Sequence, residues 1–168
     1  CGSFSFFPAK TLGCFGDGGA LITDNDEVAE YVNKLRDHGR SDNGEVVIWG
    51  DNGRLDNIQA AILSYKLDFY SKYIKRRREI ASMYQERLGD LNTVQLPPKP
   101  DLEFNRFDIY QNYEILAEER DELKKYLQQN NVGTIIQWGG WMMHHFKKLN
   151  NNFSAPYSNE YSKKMLLL

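Results

Sequence analysis

A chain of 168 residues can hold one full domain or parts of two, and its 41% hydrophobic and 26% charged residues are ordinary for a folded protein. A net charge of −2 provides no overall field for nucleic acid or a membrane surface, and no apolar run approaches the about 20 residues of a membrane helix. Cys1 and Cys14 form neither a C-x-x-C pair nor a disulfide framework, which fits a reducing cytoplasm. The chain starts without Met inside strand-like sequence and stops on the apolar run Met165–Leu168, so it reads as an internal piece of a longer protein.

Ser and Phe alternate from Ser3 to Phe7, which predicts a strand. Gly13, Gly16, Gly18 and Gly19 then mark a turn, and Ala20 to Thr23 a second short strand. Asp24 is the expected N-cap of a helix, with Glu27 as its capping-box partner. Val28, Val32 and Leu35 form the apolar stripe of that helix, and Gly39 is its expected stop. Residues 39–54 read as a loop with a possible short strand at Val46 to Trp49.

From about Asp56 a long helical pattern begins, carried by Ile58, Ile62, Tyr65, Phe69 and Tyr73 and resumed by Ile80, Tyr84 and Leu88. One long helix and two helices broken near Tyr70 fit equally well. Gly89 and "LPPKP" end it. A second unit follows, with a strand at Ile109 to Leu116, a helix at Glu118 to Asn130 and a strand at Gly133 to Gln137. "LNNNF" reads as a short polar loop, and a helix starts near Tyr157. The order predicts an α/β large-domain fragment, residues 1–70, followed by a smaller α+β domain, residues 71–168.

Lys10 is the residue that raises a chemical question. It stands alone between an aromatic run (Phe4, Phe6, Phe7) and a glycine-rich turn. One lysine among 21 basic residues is ordinarily a solvated charge. A lysine held at a strand-end turn among aromatics can instead be partly desolvated, which favours the neutral, nucleophilic amine. Such an amine can form a Schiff base with an aldehyde, of which pyridoxal phosphate is the usual cofactor form. Ser5 could offer a hydroxyl to its phosphate, and the glycines would let backbone approach a bulky ligand. Those glycines have neither G-x-G-x-x-G nor Walker spacing, so a dinucleotide or NTP site is rejected; an ordinary turn remains open.

His144 and His145 are adjacent, lack i, i+4 spacing and have no acidic or thiol cluster beside them, so no metal site is expected. Trp138 and Trp141 could stack on a sugar or base, or could pack in a core. The basic run Lys72, Lys75, Arg76, Arg77 and Arg78 has Asp68, Glu79 and Glu86 nearby on the same helical pattern and reads as a solvated helix face.

The stretch "SFSFFPAKTLGCFGDGGALITDND" resembles the lysine segment of the DegT-type sugar-nucleotide aminotransferases, which are fold type I pyridoxal-phosphate enzymes. Ser5, Phe6, Lys10, Gly18, Gly19 and Ala20 carry the match. "LRDHGR" (Leu35 to Arg40) is similar to a helix end in that family. "GDNGRLDNIQAAI" is similar to a further segment, with Asn52, Arg54, Gln59, Ala60 and Ala61 in register, and "RRREIASMYQERL" to the helix after it. "IQWGG" within Gly133 to Phe146, together with Gln111 and Asn112, resembles members that act at the sugar 3-position.

The resemblance implies the C-terminal half of such an enzyme. Lys10 would be the catalytic lysine that binds pyridoxal 5'-phosphate and then moves protons at the reacting carbon. Ser5 would bind the phosphate, and Asn52 would reach the phosphate of a neighbouring subunit in a homodimer with shared sites. Asn52 alone could also be a turn residue, Arg54 an ion-pair partner of Asp51 or Asp56, and His38 a cation at a helix end. The implied reaction carries an amino group from an amino-acid donor, glutamate, to a keto-sugar nucleotide, in the cytoplasm and with no nucleic acid or membrane partner. A non-catalytic pyridoxal-phosphate-binding regulator of the same fold is the alternative. Dehydratases of this fold carry histidine in place of the lysine, and Lys10 argues against them. The family's ring-nitrogen Asp lies upstream of the lysine segment, so this piece by itself is expected to be inactive.

Overall fold

The alternating Ser–Phe run forms β1 (Gly2–Ser5), which pairs antiparallel with β2 (Gly19–Ile22) in the register Gly2↔Ile22 and Ser5↔Gly19. The computed structural model describes residues 1–100, 107–149 and 153–168. β1 ends two residues earlier than its alternation suggests. The Phe6 N–H still reaches the Gly18 carbonyl at 2.8 Å, but Pro8 then turns the chain, and the Lys10 N–H closes onto the Phe7 carbonyl at 2.8 Å. Proline pre-sets the backbone for the second position of such a turn.

Helix α1 (Asp26–Leu35) is capped by Asn25, whose Oδ1 accepts from the Val28 N–H at 3.1 Å, so the cap lies one residue beyond the expected Asp24. Asp26 and Glu27 fall in the first turn, where carboxylates complement the helix dipole. Val28, Val32 and Leu35 are half-buried, as their spacing requires. Past the helix end, Gly39 (φ +74°) is buried, and a Cβ there would lie 1.8 Å from the Ile48 carbonyl oxygen. Two backbone segments cross at that point, and only glycine permits it. Val46 to Trp49 is not a strand: a single bridge, Arg40↔Val46, ties its start, and Trp49 is 97% exposed.

The long helical pattern is two helices, α2 (Asn57–Leu67) and α3 (Tyr70–Leu88). Its expected stripe is packed only in part: Ile62 and Leu88 are half-buried, and Tyr84 stacks on Tyr113. Ile58 and Tyr65 are each 68% exposed, and the buried residue of α2 is Leu63. The 3–4 spacing identifies the helix correctly, but the rest of its own unit offers only a two-stranded sheet and α1, too little apolar surface to cover that face.

The chain divides into two compact units, Cys1–Tyr73 and Ile74–Leu168. The second is built on a three-stranded antiparallel sheet in the order β3 (Val94–Gln95), β4 (Glu114–Ala117), β5 (Met165–Leu167). Its core joins Ala81, Tyr110, Tyr113, Ile115 and Leu166, with Leu123 and Leu127 of α4 (Arg120–Gln129) packed on it. Full burial of Ile115 and Leu166 contributes roughly 1.5–3 kcal/mol each. The apolar run at the C-terminus is therefore the buried strand β5, entered directly from α5 (Pro156–Lys164).

Two expected strands of this unit are shorter than their patterns. Ile109 to Leu116 becomes the four residues of β4, because Tyr110 takes φ 50° and breaks the extended run. Gly133 to Gln137 contributes only the bridge Ile135↔Leu167 before a 3-10 turn begins at Gln137. The loop expected at "LNNNF" lies in part outside the described residues.

Candidate functional site

Lys10 is the last residue of the Phe7–Lys10 turn. Its side chain is exposed and makes no hydrogen bond or ion pair among the described residues. The expected desolvation is not supplied by this chain: Phe4, Phe7 and Phe15 are themselves exposed. Ser5 lies at the end of β1, where its Oγ accepts from the Phe7 N–H at 3.3 Å. That contact uses a lone pair and leaves the hydroxyl proton free to donate.

The glycine turn does not form an open cradle. A Cβ at Gly13 would lie 2.6 Å from the Phe7 carbonyl oxygen, and one at Gly18 would lie 2.9 Å from Cys14 Sγ and 3.0 Å from Leu55 Cδ1. These glycines admit the chain's own atoms. Between them Cys14 is fully buried, its Sγ donating to the carbonyls of Phe6 at 2.9 Å and Gly16 at 3.1 Å. The loop after Lys10 is thus folded back onto the end of β1.

Helix α2 holds the same loop from the other side. Gln59 Oε1 accepts the Phe15 N–H at 2.8 Å, and Lys66 Nζ donates to the Gly13 carbonyl and sits 5.0 Å from the Phe15 ring centroid. Gln59 and Lys66 are seven residues apart, two helical turns on one face. Gln59 is one of the matched residues, but its contact and that of Lys66 escaped the sequence analysis; the shared helix face was the available signal.

Asn52 belongs to a separate cluster within the first unit. The segment around it runs along the end of α1, with Asp51 N–H on the Leu35 carbonyl and Gly53 N–H on the Arg36 carbonyl, both at 2.8 Å. Arg54 Nε donates to Asn52 Oδ1 at 3.1 Å, and Arg54 Nη1 reaches Asp37 Oδ1 at 2.9 Å. The partner of Arg54 is therefore Asp37, not Asp51 or Asp56, because the α1 end brings that carboxylate to it. Arg40 also grips Asp37, through two contacts at 2.9 and 3.0 Å. The Arg40 hydrogen bonds first, then the charges of Arg40, Arg54 and His38, hold the Asp37 carboxyl below the usual carboxylate range. No hydrogen bond joins Asn52 to Ser5 or Lys10 among the described residues.

In the second unit, Gln111 and Asn112 line a cavity of ≈ 570 Å³ together with Arg77, Tyr84 and Thr134. Trp138 is 84% exposed, in a left-handed conformation (φ 50°), so it is not a core residue; Trp141 stacks on Phe146. His144 and His145 both place Nε2 2.7 Å from Asn159 Oδ1.

A family profile described as the DegT/DnrJ/EryC1/StrS aminotransferase family matches residues 1–168. The chain belongs to this family. Among its relatives is a protein of Geobacillus stearothermophilus named "Pleiotropic regulatory protein", 38% identical over 81% of this chain and 36% of the relative. A dTDP-3-amino-3,4,6-trideoxy-alpha-D-glucose transaminase of Streptomyces venezuelae is 35% identical over 81% of this chain and 35% of its own length. A solved structure of a DegT DnrJ EryC1 StrS aminotransferase from Brucella abortus superimposes with a TM-score of 0.88 and 33% identity, covering 99% of this chain and 44% of that one. The fold is thus that of a DegT-family α/β fragment, and the chain spans about a third of the length of the curated relatives it matches.

Proposed function

We propose that this chain is the catalytic-lysine and small-domain portion of a pyridoxal 5'-phosphate-dependent transaminase, a cytoplasmic homodimer that passes an amino group from an amino-acid donor, glutamate, to a keto-sugar nucleotide. Supporting this are the family membership and the relative named as a sugar transaminase. The observation that carries it is Lys10: an exposed amine without a partner among the described residues, fixed on a proline turn.

The residues fit the cofactor by their donor chemistry. A phosphate needs hydrogen-bond donors. Ser5 has its hydroxyl proton to give, and Asn52, its Oδ1 occupied by Arg54, has its amide N–H groups. When bound, pyridoxal phosphate supplies an aldehyde that accepts amines and a ring that takes up the electron pair freed at the reacting carbon. Lys10 would hold the aldehyde through its amine. Once freed by the donor, the Lys10 amine would move a proton between the donor's α carbon and the reacting carbon of the cofactor. Ser5 would bind the phosphate through its hydroxyl. Asn52 would donate to the phosphate of the neighbouring subunit's cofactor.

The decisive test is Lys10→Ala in the full-length protein. Loss of both amino transfer and the visible absorbance of the lysine-bound cofactor is expected; retention of both removes Lys10 from the mechanism. The relative named as a regulatory protein favours a second reading, a cofactor-binding regulator. Amino transfer to a keto-sugar nucleotide by the wild type excludes that reading, and cofactor binding without transfer establishes it.

A further inference from the structure

We propose that Gln59 and Lys66 are positioning residues for Lys10, a clamp on α2 that sets where its amine stands; this rests on the cofactor-binding role proposed for Lys10. Only Thr11 and Leu12 separate Lys10 from Gly13, and Gly13 lies against the Phe7 carbonyl that closes the Lys10 turn. A shift of Gly13 therefore moves the turn itself.

Among the described residues, Gly13 is held from outside the loop by one bond, the Lys66 ammonium on its carbonyl. Phe15, two residues on, is held by Gln59 at 2.8 Å. The two grips flank buried Cys14, whose N–H and Sγ both end on the Phe6 carbonyl. Clamp, Cys14 and Phe6 thus form one continuous chain of contacts that ends beside the Phe7–Lys10 turn.

Two features show that the fit is specific rather than general packing. A Cβ at Gly16 would lie 3.0 Å from Gln59 Nε2, so the loop leaves room for that carboxamide. Leu63, between Gln59 and Lys66 on the same helix face, is 8% exposed, and the two polar side chains on either side of it act on backbone groups of the loop. A lysine that binds an aldehyde must meet it within a fraction of an ångström, and preorganisation of its backbone serves that need.

The test uses the full-length protein with Gln59→Leu and Lys66→Met, and the conservative Gln59→Glu and Lys66→Arg, which keep the acceptor and the donor. In cofactor-free protein, alkylation of Cys14 followed by peptide mass is expected to be about tenfold faster in the two disruptive variants and near wild type in the conservative ones. In loaded protein, the pH titration of the lysine-bound absorbance is expected to move by about one pH unit in the disruptive variants. Unchanged labelling and titration overturn the proposal. Faster labelling with an unmoved titration also overturns it, because α2 then only stabilises the loop. Lys10→Ala is run alongside: absorbance lost with Cys14 labelling unchanged separates the cofactor reading from the clamp, and absorbance retained overturns that reading and with it the role given to Gln59 and Lys66.

Discussion

Arg54 fixes the orientation of the Asn52 carboxamide: its Nε occupies Asn52 Oδ1 at 3.1 Å while its Nη1 is anchored on Asp37 at 2.9 Å. The guanidinium is planar, so anchoring one edge orients the other. The amide N–H groups of Asn52 are then presented as donors. Asn52→Asp replaces donors by an anion, and Arg54→Met frees the carboxamide to rotate. In the full-length protein both changes are expected to weaken binding of pyridoxal phosphate by about 10- to 100-fold, the worth of a hydrogen bond to a charged group. Equilibrium dialysis of the cofactor measures this, and unchanged affinity in both variants would return Asn52 to the status of a turn residue.

The same cluster has a defined pH range. The Asp37 carboxyl is held below its ordinary value, chiefly by its hydrogen bonds to Arg40. A depressed carboxylate contributes stability that is fully present above the ordinary value, about pH 4, and fades as pH falls through the lower folded value. The difference in urea midpoint between wild type and Asp37→Asn should not shrink from pH 7 down to about pH 4 and should fall only below it. A difference that already shrinks between pH 6 and 5 would contradict the Arg40–Asp37–Arg54 arrangement.

Local patterns in the sequence carried much of this structure. The Ser–Phe alternation, the Val28–Val32–Leu35 stripe and the Ile58 pattern each mark an element of the right type, because each reflects backbone periodicity alone. What they could not show is the surface each face meets. Ile58 and Tyr65 are exposed here, while Leu63, outside the expected stripe, is buried. β5 was hidden for the same reason: "MLL" is too short for periodicity, and only its pairing with β4 makes it a strand. At the site, Lys10, Ser5 and Asn52 drew attention by residue type and match. The Gln59 and Lys66 contacts and the Asp37 partner of Arg54 did not, since each joins residues 17 to 53 apart in the chain.

The tight closure of the glycine turn makes Gly18 sensitive. A methyl group there would press on Cys14 Sγ and Leu55 Cδ1, at 2.9 and 3.0 Å. Gly18→Ala is expected to cost about 1–3 kcal/mol by overpacking. Gly133→Ala is the control: no atom lies within 4 Å of its Cβ position, so the change should stay within about ±0.5 kcal/mol. Chemical denaturation of both variants decides the matter. Equal effects would mean that the turn relaxes around the added carbon.

Tyr161 gives the second unit an alkaline limit. Its hydroxyl donates to Glu114 Oε1, linking α5 to β4, and that bond first, then burial, pushes the phenol up to about 12. A raised phenol contributes stability that is complete below its ordinary value near pH 10 and is lost as pH rises through the folded value. Tyr110 and Tyr113 are also pushed up, by burial first, so a raw tyrosinate titration would blur the three. The difference absorbance between wild type and Tyr161→Phe isolates one phenol. It should titrate near pH 12 in wild type and fall toward about 10 in Glu114→Gln, where the carboxylate charge is gone. A wild-type difference already titrating near 10 would mean that α5 and β4 are not joined through this bond.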